Sequence, residues 1–403
     1  MEENYSSIDL TTVKEEVANF ACISESRDFI MSEEVPFNPL VIRKNLKETA
    51  DALAILQKDM NLSFDGVKNV TYLFEKADKG YILDGHEIAR INVFHNHCER
   101  IRKFFFGFDL DLSLRDYSDS LYLNKQIFAK ISSYIDTDGD IKWNATKKLE
   151  ELNLEISRLE ESLRSKAANF ISHFESSLQE NNYYIRNDRI TFLVRNSDKN
   201  KFNGFAFGTS ASGQATYIEP AQFIELDNRK VNLIEDREEE IRRILQEMTY
   251  LVASVKDEYI NNFESVMKLN VIFAKALYGY HHIGTIASLS TGEFVIKDAI
   301  HPLLDSKTAI SNTYRLNDPY RGIVISGSNT GGKTVGLKTI GLSVVMAYLG
   351  IPIIASDARI PLFDNIYVDI DDNQSIMSSL STFSAHISNI AKILKSATSK
   401  SLI

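Results

Sequence analysis

The sequence predicts a multidomain protein: a mostly α-helical core and long helical arms, a small antiparallel β segment between the arms, and then an α/β region built round a phosphate-binding loop. Three observations predict this. Apolar residues recur three and four apart in most segments before residue 183 and again over residues 226–275. Between those segments, residues 183–220 turn to β-branched, aromatic, Gly and Ser residues, the composition of strands and tight turns. From residue 290 onward, short apolar runs alternate with helix-like runs, which argues a mostly parallel sheet.

The bulk numbers fit that reading. A chain of 403 residues is too long for one simple core, and only 7 prolines and 18 glycines in that length point to a helix-rich chain. The formal charge of −10 argues against a wholesale basic coat, so any contact with nucleic acid must come from a local patch. The two cysteines, Cys22 and Cys98, lie far apart and indicate no disulfide scaffold, so a reducing cytoplasm is the default compartment. The polar, acidic start MEENYSSIDLTTVKEEV is neither a secretory nor a transit signal. No apolar run approaches the roughly 18 residues needed to span a membrane.

Taken in order, residues 1–140 read as a helical domain. Leu10, Val13, Val17 and Phe20 mark one helix, and Pro39 opens a second that runs to Gln57. Further helices fit Gly85 to Phe106 and Leu121 to Ile131. Residues 141–289 are expected to hold two arms. Leu149, Leu152, Ile156, Leu159, Leu163, Ala167, Phe170, Phe174 and Leu178 step along one helix of roughly 45–50 Å. Ile241, Leu245, Met248, Val252, Val255 and Tyr259 step along a second, over residues 226–275, antiparallel to the first. The β segment at 183–220 would sit at their tip. Arg186, Arg189, Arg195, Lys199 and Lys201 fall within it and are candidate phosphate contacts, although a run of charges is more often a solvated face. In residues 290–403 the expected strands are Gly322–Ser326, Pro352–Ala355 and Asn365–Asp369, with helices after Lys333 and Ser381.

The chemistry concentrates at Gly327-Ser328-Asn329-Thr330-Gly331-Gly332-Lys333-Thr334, which matches G-x-x-x-x-G-K-[ST] in full. Its glycines let successive backbone N–H groups turn into one concavity. The following helix adds the partial positive charge of its N-terminus. Lys333 is placed to reach the β- and γ-phosphates of a nucleotide, and the Thr334 hydroxyl to ligate Mg²⁺. The flanks agree, since β-branched GIVIS precedes the loop and GLKTIGLSVVMAYL follows it. Hydrolysis needs more: a carboxylate at the end of a later apolar strand. Lys400-Ser401-Leu402-Ile403 reads as the opening of such a strand, with no acidic residue after it. Asp369, Asp371 and Asp372 are candidate metal or water contacts, or simply caps of the Ser381 helix.

The run GSNTGGKTVGLKTIGL…MAYLGIPIIAS…PLFDNIYVDIDDNQSIMSSLSTFSAHISNI resembles the ATPase domain of the MutS family, and within it the second bacterial class. NLEISRLEESL, IRNDRITFLVR, TSASGQATYIEPAQFIELDN, REEEIRRIL, VIFAKALYGY and AIHPLL extend the resemblance upstream, over nearly the whole chain. The resemblance implies that residues 1–140 are the helical core, 141–289 the levers with a clamp tip at 183–220, and 290–403 an ABC-like P-loop ATPase domain. It implies ATP and Mg²⁺ as cofactors. It also implies that Ser381, Thr382, Phe383 and Ser384 form a signature loop reaching ATP in a partner subunit, and hence a homodimer. His386, one turn further, could approach the nucleotide or simply pack, and His301 before Pro302 orders the approach to the ATPase sheet.

Departures from the family pattern qualify that picture. The mismatch-reading domain with its Phe-x-Glu wedge has no counterpart, and Phe223-Ile224-Glu225 matches its letters only at the foot of an arm, where packing explains it. The acidic strand, a coiled region and an Smr nuclease domain would follow Ile403, so the expectation is a truncated product or a piece of a longer chain, to which the nuclease cannot be assigned. His95 and His97 lie two apart on a helix and point away from each other, which disfavours a metal site. The leading expectation is an ATP-switched, dimeric clamp on branched DNA, suppressing recombination, on collided ribosomes, splitting their subunits, or on both. The alternatives are a non-hydrolysing nucleotide-binding or dimerisation remnant and a structural ATPase with long coiled arms, for which these arms are too short.

Overall fold

The computed structural model describes residues 5–108, 113–305, 307–327, 332–370 and 379–403, with backbone only for 379–385. Twelve α-helices and eight strands are described. The helices are α1 (Leu10–Asn19), α2 (Ser24–Ser32), α3 (Pro39–Leu56), α4 (Thr71–Asp78), α5 (Gly85–Phe106), α6 (Arg115–Asp119), α7 (Lys125–Tyr134), α8 (Lys147–Phe174), α9 (Ala221–Ala253), α10 (Lys256–His281), α11 (Lys333–Tyr348) and α12 (Ser379–Ser396). The strands are β1 (Leu178–Arg186), β2 (Arg189–Arg195), β3 (Gly204–Thr209), β4 (Ala215–Pro220), β5 (Ser288–Ser290), β6 (Phe294–Ala299), β7 (Asn312–Leu316) and β8 (Asp357–Pro361). The chain forms two compact units, one from residues 1–71, 94–123 and 257–403, the other from 72–93 and 124–256. Among the described residues, no helix is long and apolar enough to cross a membrane.

Several helix starts follow from local chemistry. Asn38, Asn124 and Thr146 each accept a backbone N–H of the first turn, from Leu40 at 2.9 Å, Ile127 at 3.1 Å and Leu149 at 3.1 Å. Each side chain thereby satisfies a donor that the helix itself leaves without a partner.

The 72–93 and 124–256 unit is built on α8 and α9. Ile156, Leu159, Leu163, Ala167 and Phe170 of α8 form one buried stripe, which meets Phe223 and Leu233 of α9. Strands β1 to β4 form an antiparallel sheet in the order β1-β2-β4-β3, as the composition of 183–220 predicts. One sheet face, with Ile190, Phe192, Val194 and Ile218, closes this core, and the Phe170 and Phe192 rings lie 4.4 Å apart. Phe223 is fully buried here, in keeping with packing at the foot of an arm. At 28 residues α8 is about 42 Å long. The second arm differs from expectation. The helix predicted over 226–275 is two, α9 and α10, parted at Ser254 and Val255. Apolar spacing runs through the break unaltered, so periodicity gave no sign of it. The Ser254 hydroxyl turns back onto the Leu251 carbonyl at 2.7 Å, a local bond that competes with helix propagation.

The other unit centres on the last half of α11, where Leu342 and Val344 to Leu349 are almost wholly buried among α1, α3, β6 and β8. Gly350 ends this helix with a left-handed φ of 72°. A Cβ there would lie 2.8 Å from the Asn45 carbonyl oxygen, so both conformation and space favour glycine. Buried Lys275 joins Glu33 at 2.7 Å to the Leu349 carbonyl at 2.7 Å, giving a final carbonyl of α11 a cationic donor.

The sheet of this unit corrects two expectations. Its order is β5-β8-β6-β7, with only β5 and β8 parallel, so the sheet is mixed rather than mostly parallel. The three predicted strands do not form as such. Residues 321–326 are irregular and exposed, with Val324 93% exposed. Ile353 and Ile366 contribute single bridges, to Thr285 and, in parallel sense, to Leu402. A β-branched run becomes a strand only with a neighbour to complete its ladder, and 322–326 has none among the described residues.

Candidate functional site

The candidate nucleotide loop lies at the exposed start of α11. Gly332 caps the helix in a left-handed conformation, φ 76°, which a Cβ would strain. Lys333 is therefore the first helical residue, and its ammonium turns back to donate to the Gly327 carbonyl at 2.9 Å. Thr334 follows, exposed. Ser328, Asn329, Thr330 and Gly331 lie outside the described residues. The donor set fits an anion: a lysine ammonium and a threonine hydroxyl stand at the N-terminal end of a 16-residue helix, where the macrodipole is positive.

One turn further, α11 is tied down. The Lys338 ammonium lies 3.4 Å from one Asp9 oxygen and His301 Nε2 lies 3.4 Å from the other. Burial holds the His301 pKa below its ordinary value, so the imidazole is neutral near pH 7 and the cation facing Asp9 is Lys338.

Ser381, Thr382, Phe383 and Ser384 fall in α12, and their side chains are outside the described residues. His386, in the second turn of that helix, faces Asp369: its Nδ1 is 3.0 Å from Oδ1, and Asn389 donates to the same oxygen at 2.9 Å. Asp369 thus engages side chains of α12. Asp371 and Asp372 are outside the described residues. His95 and His97 have separate partners in α5's surroundings: His95 Nδ1 meets the Tyr259 hydroxyl at 2.6 Å, and the His97 ring meets the Arg100 guanidinium at 2.8 Å.

In the other unit, the five candidate cations are not equivalent. Arg186 and Arg189 flank a two-residue hairpin turn at Asn187 and Asp188, both with positive φ, the geometry short polar side chains tolerate. Arg189 pairs with wholly buried Glu219 at 3.0 Å and with Asn228 at 2.6 Å, and Lys201 pairs with Asp198 at 2.6 Å. The Arg186 guanidinium carbon lies over the Tyr217 ring, 3.7 Å from its centre. Arg195 and Lys199 are exposed, and neither has an ion pair among the described residues.

Sequence reading missed the group behind Arg189. Asp227 on α9 is fully buried, accepts the Ile190 N–H at 3.0 Å through one oxygen, and keeps the other without a hydrogen-bond partner. Burial, together with the neighbouring Glu219 carboxylate, raises its pKa to about 6. Nothing in the spacing of Glu219 and Asp227 announces the pair; it arises because β4 leads directly into α9.

Comparison with known proteins gives a consistent picture. Residues 323–403 match the family described as MutS domain V. A protein named Endonuclease MutS2 from Finegoldia magna is 36% identical over 90% of this chain and 47% of its own length. Proteins of that name from Halothermothrix orenii and Clostridium perfringens are 31% and 30% identical over 100% and 98% of this chain. The chain spans about half the length of these curated relatives, 47–52%.

Proposed function

Given that this chain is a MutS2-type member of the MutS family, we propose that it is an ATP-binding clamp that acts on nucleic acid as a homodimer. The observation that carries the reading is the start of α11, with Gly332 left-handed, Lys333 as first helical residue and its ammonium turned onto the Gly327 carbonyl. In this reading Gly327 to Thr334 hold the triphosphate. Lys333 exchanges the Gly327 carbonyl for phosphate oxygens, and the Thr334 hydroxyl holds Mg²⁺, which when bound neutralises charge on the phosphates. Ser381 to Ser384 complete the partner's site. The Asp369 carboxylate holds His386 and Asn389 and so fixes the pitch of α12. Residues 1–140 form the core, 141–289 the levers and clamp tip, and 290–403 the ATPase domain.

The substrate is proposed to be branched DNA, with suppression of recombination, or collided ribosomes, with subunit splitting. The test combines two measurements. Binding of a fluorescent ATP analogue with Mg²⁺ is compared between the chain and Lys333→Ala, and single-turnover phosphate release separates binding from hydrolysis. Binding to four-way junctions, random duplex and isolated ribosomes is then followed against salt. Equal analogue affinity for both proteins refutes the nucleotide site. Junction affinity no better than duplex refutes the DNA form, and absence of ribosome binding refutes the other.

A further inference from the structure

We infer that the face of the β1–β4 sheet turned away from α8 and α9 is a stacking platform for unpaired nucleotides, with Arg186 and Phe205 as its contact residues. The inference rests on the clamp-tip reading above and gives it a substrate class, single-stranded nucleic acid.

The argument begins with register. Residues directly opposite in an antiparallel pair share a face. Tyr184 opposes Thr191, Arg186 opposes Arg189, Leu193 opposes Tyr217, and Phe205 opposes Glu219. The alternate set, with Phe192 and Ile218, packs on the helical arms, so this set faces the other way except at Arg189 and Glu219, which reach round to Asn228 and Asp227 of α9. Thr191 and Leu193 on this outer face are nonetheless buried, at 0% and 3% exposure. Their cross-strand partners are the rings of Tyr184 and Tyr217, which meet edge to face at 5.4 Å. The face is thus paved by rings.

Two planar groups top that pavement. Arg186 is exposed, and its guanidinium carbon lies over Tyr217, 3.7 Å from the ring centre. Phe205 is 62% exposed on β3. An exposed ring on a sheet offers a base a flat apolar surface to stack on. Arg195 shares this face by register with Ala215, and Lys199 follows on the same segment, so charge favours a polyanion. Three of the acids beside these groups are engaged, Glu219 by Arg189, Asp198 by Lys201, and Glu180 by the Tyr184 hydroxyl, while Asp188 in the hairpin turn is exposed. Flat rings and guanidinium planes, next to cations that do not read base edges, match how single strands are held: phosphates neutralised and bases stacked. A duplex offers the phosphates but keeps its base faces inside the stack.

The experiment uses the full chain with a labelled oligo-dT, an abasic oligonucleotide of equal length, and a duplex of equal length, across a salt series. Oligo-dT is expected to bind about tenfold more tightly than the abasic strand for each base stacked. Arg186→Lys, which keeps the charge and loses the plane, and Phe205→Ala are each expected to bring oligo-dT toward the abasic affinity while leaving the salt slope unchanged. Circular dichroism of both variants should match the parent, since both side chains are exposed. Equal binding of abasic and oligo-dT strands overturns the stacking platform while leaving the phosphate contacts standing. Absence of binding to all three overturns the clamp-tip reading as well.

Discussion

Replacing Asp227 by Asn is expected to stabilise the protein at neutral pH, although it removes a charged group that accepts a backbone hydrogen bond. Two carboxyl groups, Asp227 and Glu219, are buried at the junction of β4 and α9. Arg189 engages Glu219 directly, and the charge of Lys230 acts on Asp227. Burial is the largest influence on Asp227, the Ile190 N–H works against it, and the Glu219 charge adds to it, leaving a pKa of about 6 against an ordinary 3.8. A raised carboxyl pKa means that the folded state binds the proton more tightly than the unfolded state. The destabilisation is therefore absent below the unfolded pKa, grows between 3.8 and about 6, and is complete above that. About two pKa units correspond to about 3 kcal/mol. An Asn keeps an oxygen for the Ile190 N–H and places an amide donor beside Glu219, so the substitution is expected to recover about 1–3 kcal/mol at pH 7.5. For a unit of this size that raises the melting temperature by about 3–10 °C. The assay is urea and thermal unfolding of parent and variant at pH 7.5 and pH 4.5, where the gain should shrink. A variant less stable than the parent by the same amount at both pH values would refute the reasoning. It would mean that the carboxylate, through Ile190 and the two cations, is net stabilising.

Other expectations rest on geometry. Gly332→Ala forces a side chain into a left-handed cap, at about 1–2 kcal/mol; binding of a fluorescent ATP analogue should weaken roughly tenfold and the melting temperature should fall by about 2–8 °C. Gly279→Ala places a Cβ 2.3 Å from the Pro352 ring, a rigid neighbour; unfolding should show a loss of about 1–3 kcal/mol. Thr146→Ala removes both the cap of α8 and a bond to Glu240 at 2.9 Å; a loss of about 1 kcal/mol is expected in urea unfolding. Removing that bond also weakens one of the interactions, led by Arg243, that hold the Glu240 pKa at about 2. Stability linked to Glu240 is present above its ordinary pKa of 4.5 and is lost as pH falls toward about 2, so the variant's deficit should narrow in that window.

The helices were legible where an apolar stripe is unbroken, as from Leu149 to Phe174, or where Pro39 marks a start, because both signals are local; the caps at Asn38 and Thr146 showed only in the structure. The parting of α9 and α10 was not, since Val252, Val255 and Tyr259 keep their spacing across it. Strands 322–326, 352–355 and 365–369 were read from β-branched composition, but a strand is a relation between two segments, and composition names only one of them. The same limit governs the β1–β4 sheet. Five cations were visible, yet Arg189 belongs to Glu219, thirty positions away, and only the β2–β4 register brings them together. The sequence marked a candidate phosphate loop because its motif is contiguous. It gave no hint that Asp9 faces Lys338, because those residues lie at opposite ends of the chain.

Helix α11 is held very unequally along its length. Its last two turns are gripped on all sides, Leu349 is fastened by Lys275, and Gly350 leaves no room to shift, while its first residue, Lys333, is only half-buried. Mechanically it is a cantilever of about 24 Å. A tilt of about 5° where the grip ends, acting over the remaining arm of about 13 Å, displaces the other end by about 1 Å, close to the difference between a made and a broken hydrogen bond. The Asp9 contacts with Lys338 and His301 sit part-way along, as a stay does on a mast, so the cap residue of α1 sets how far the Lys333 end can swing.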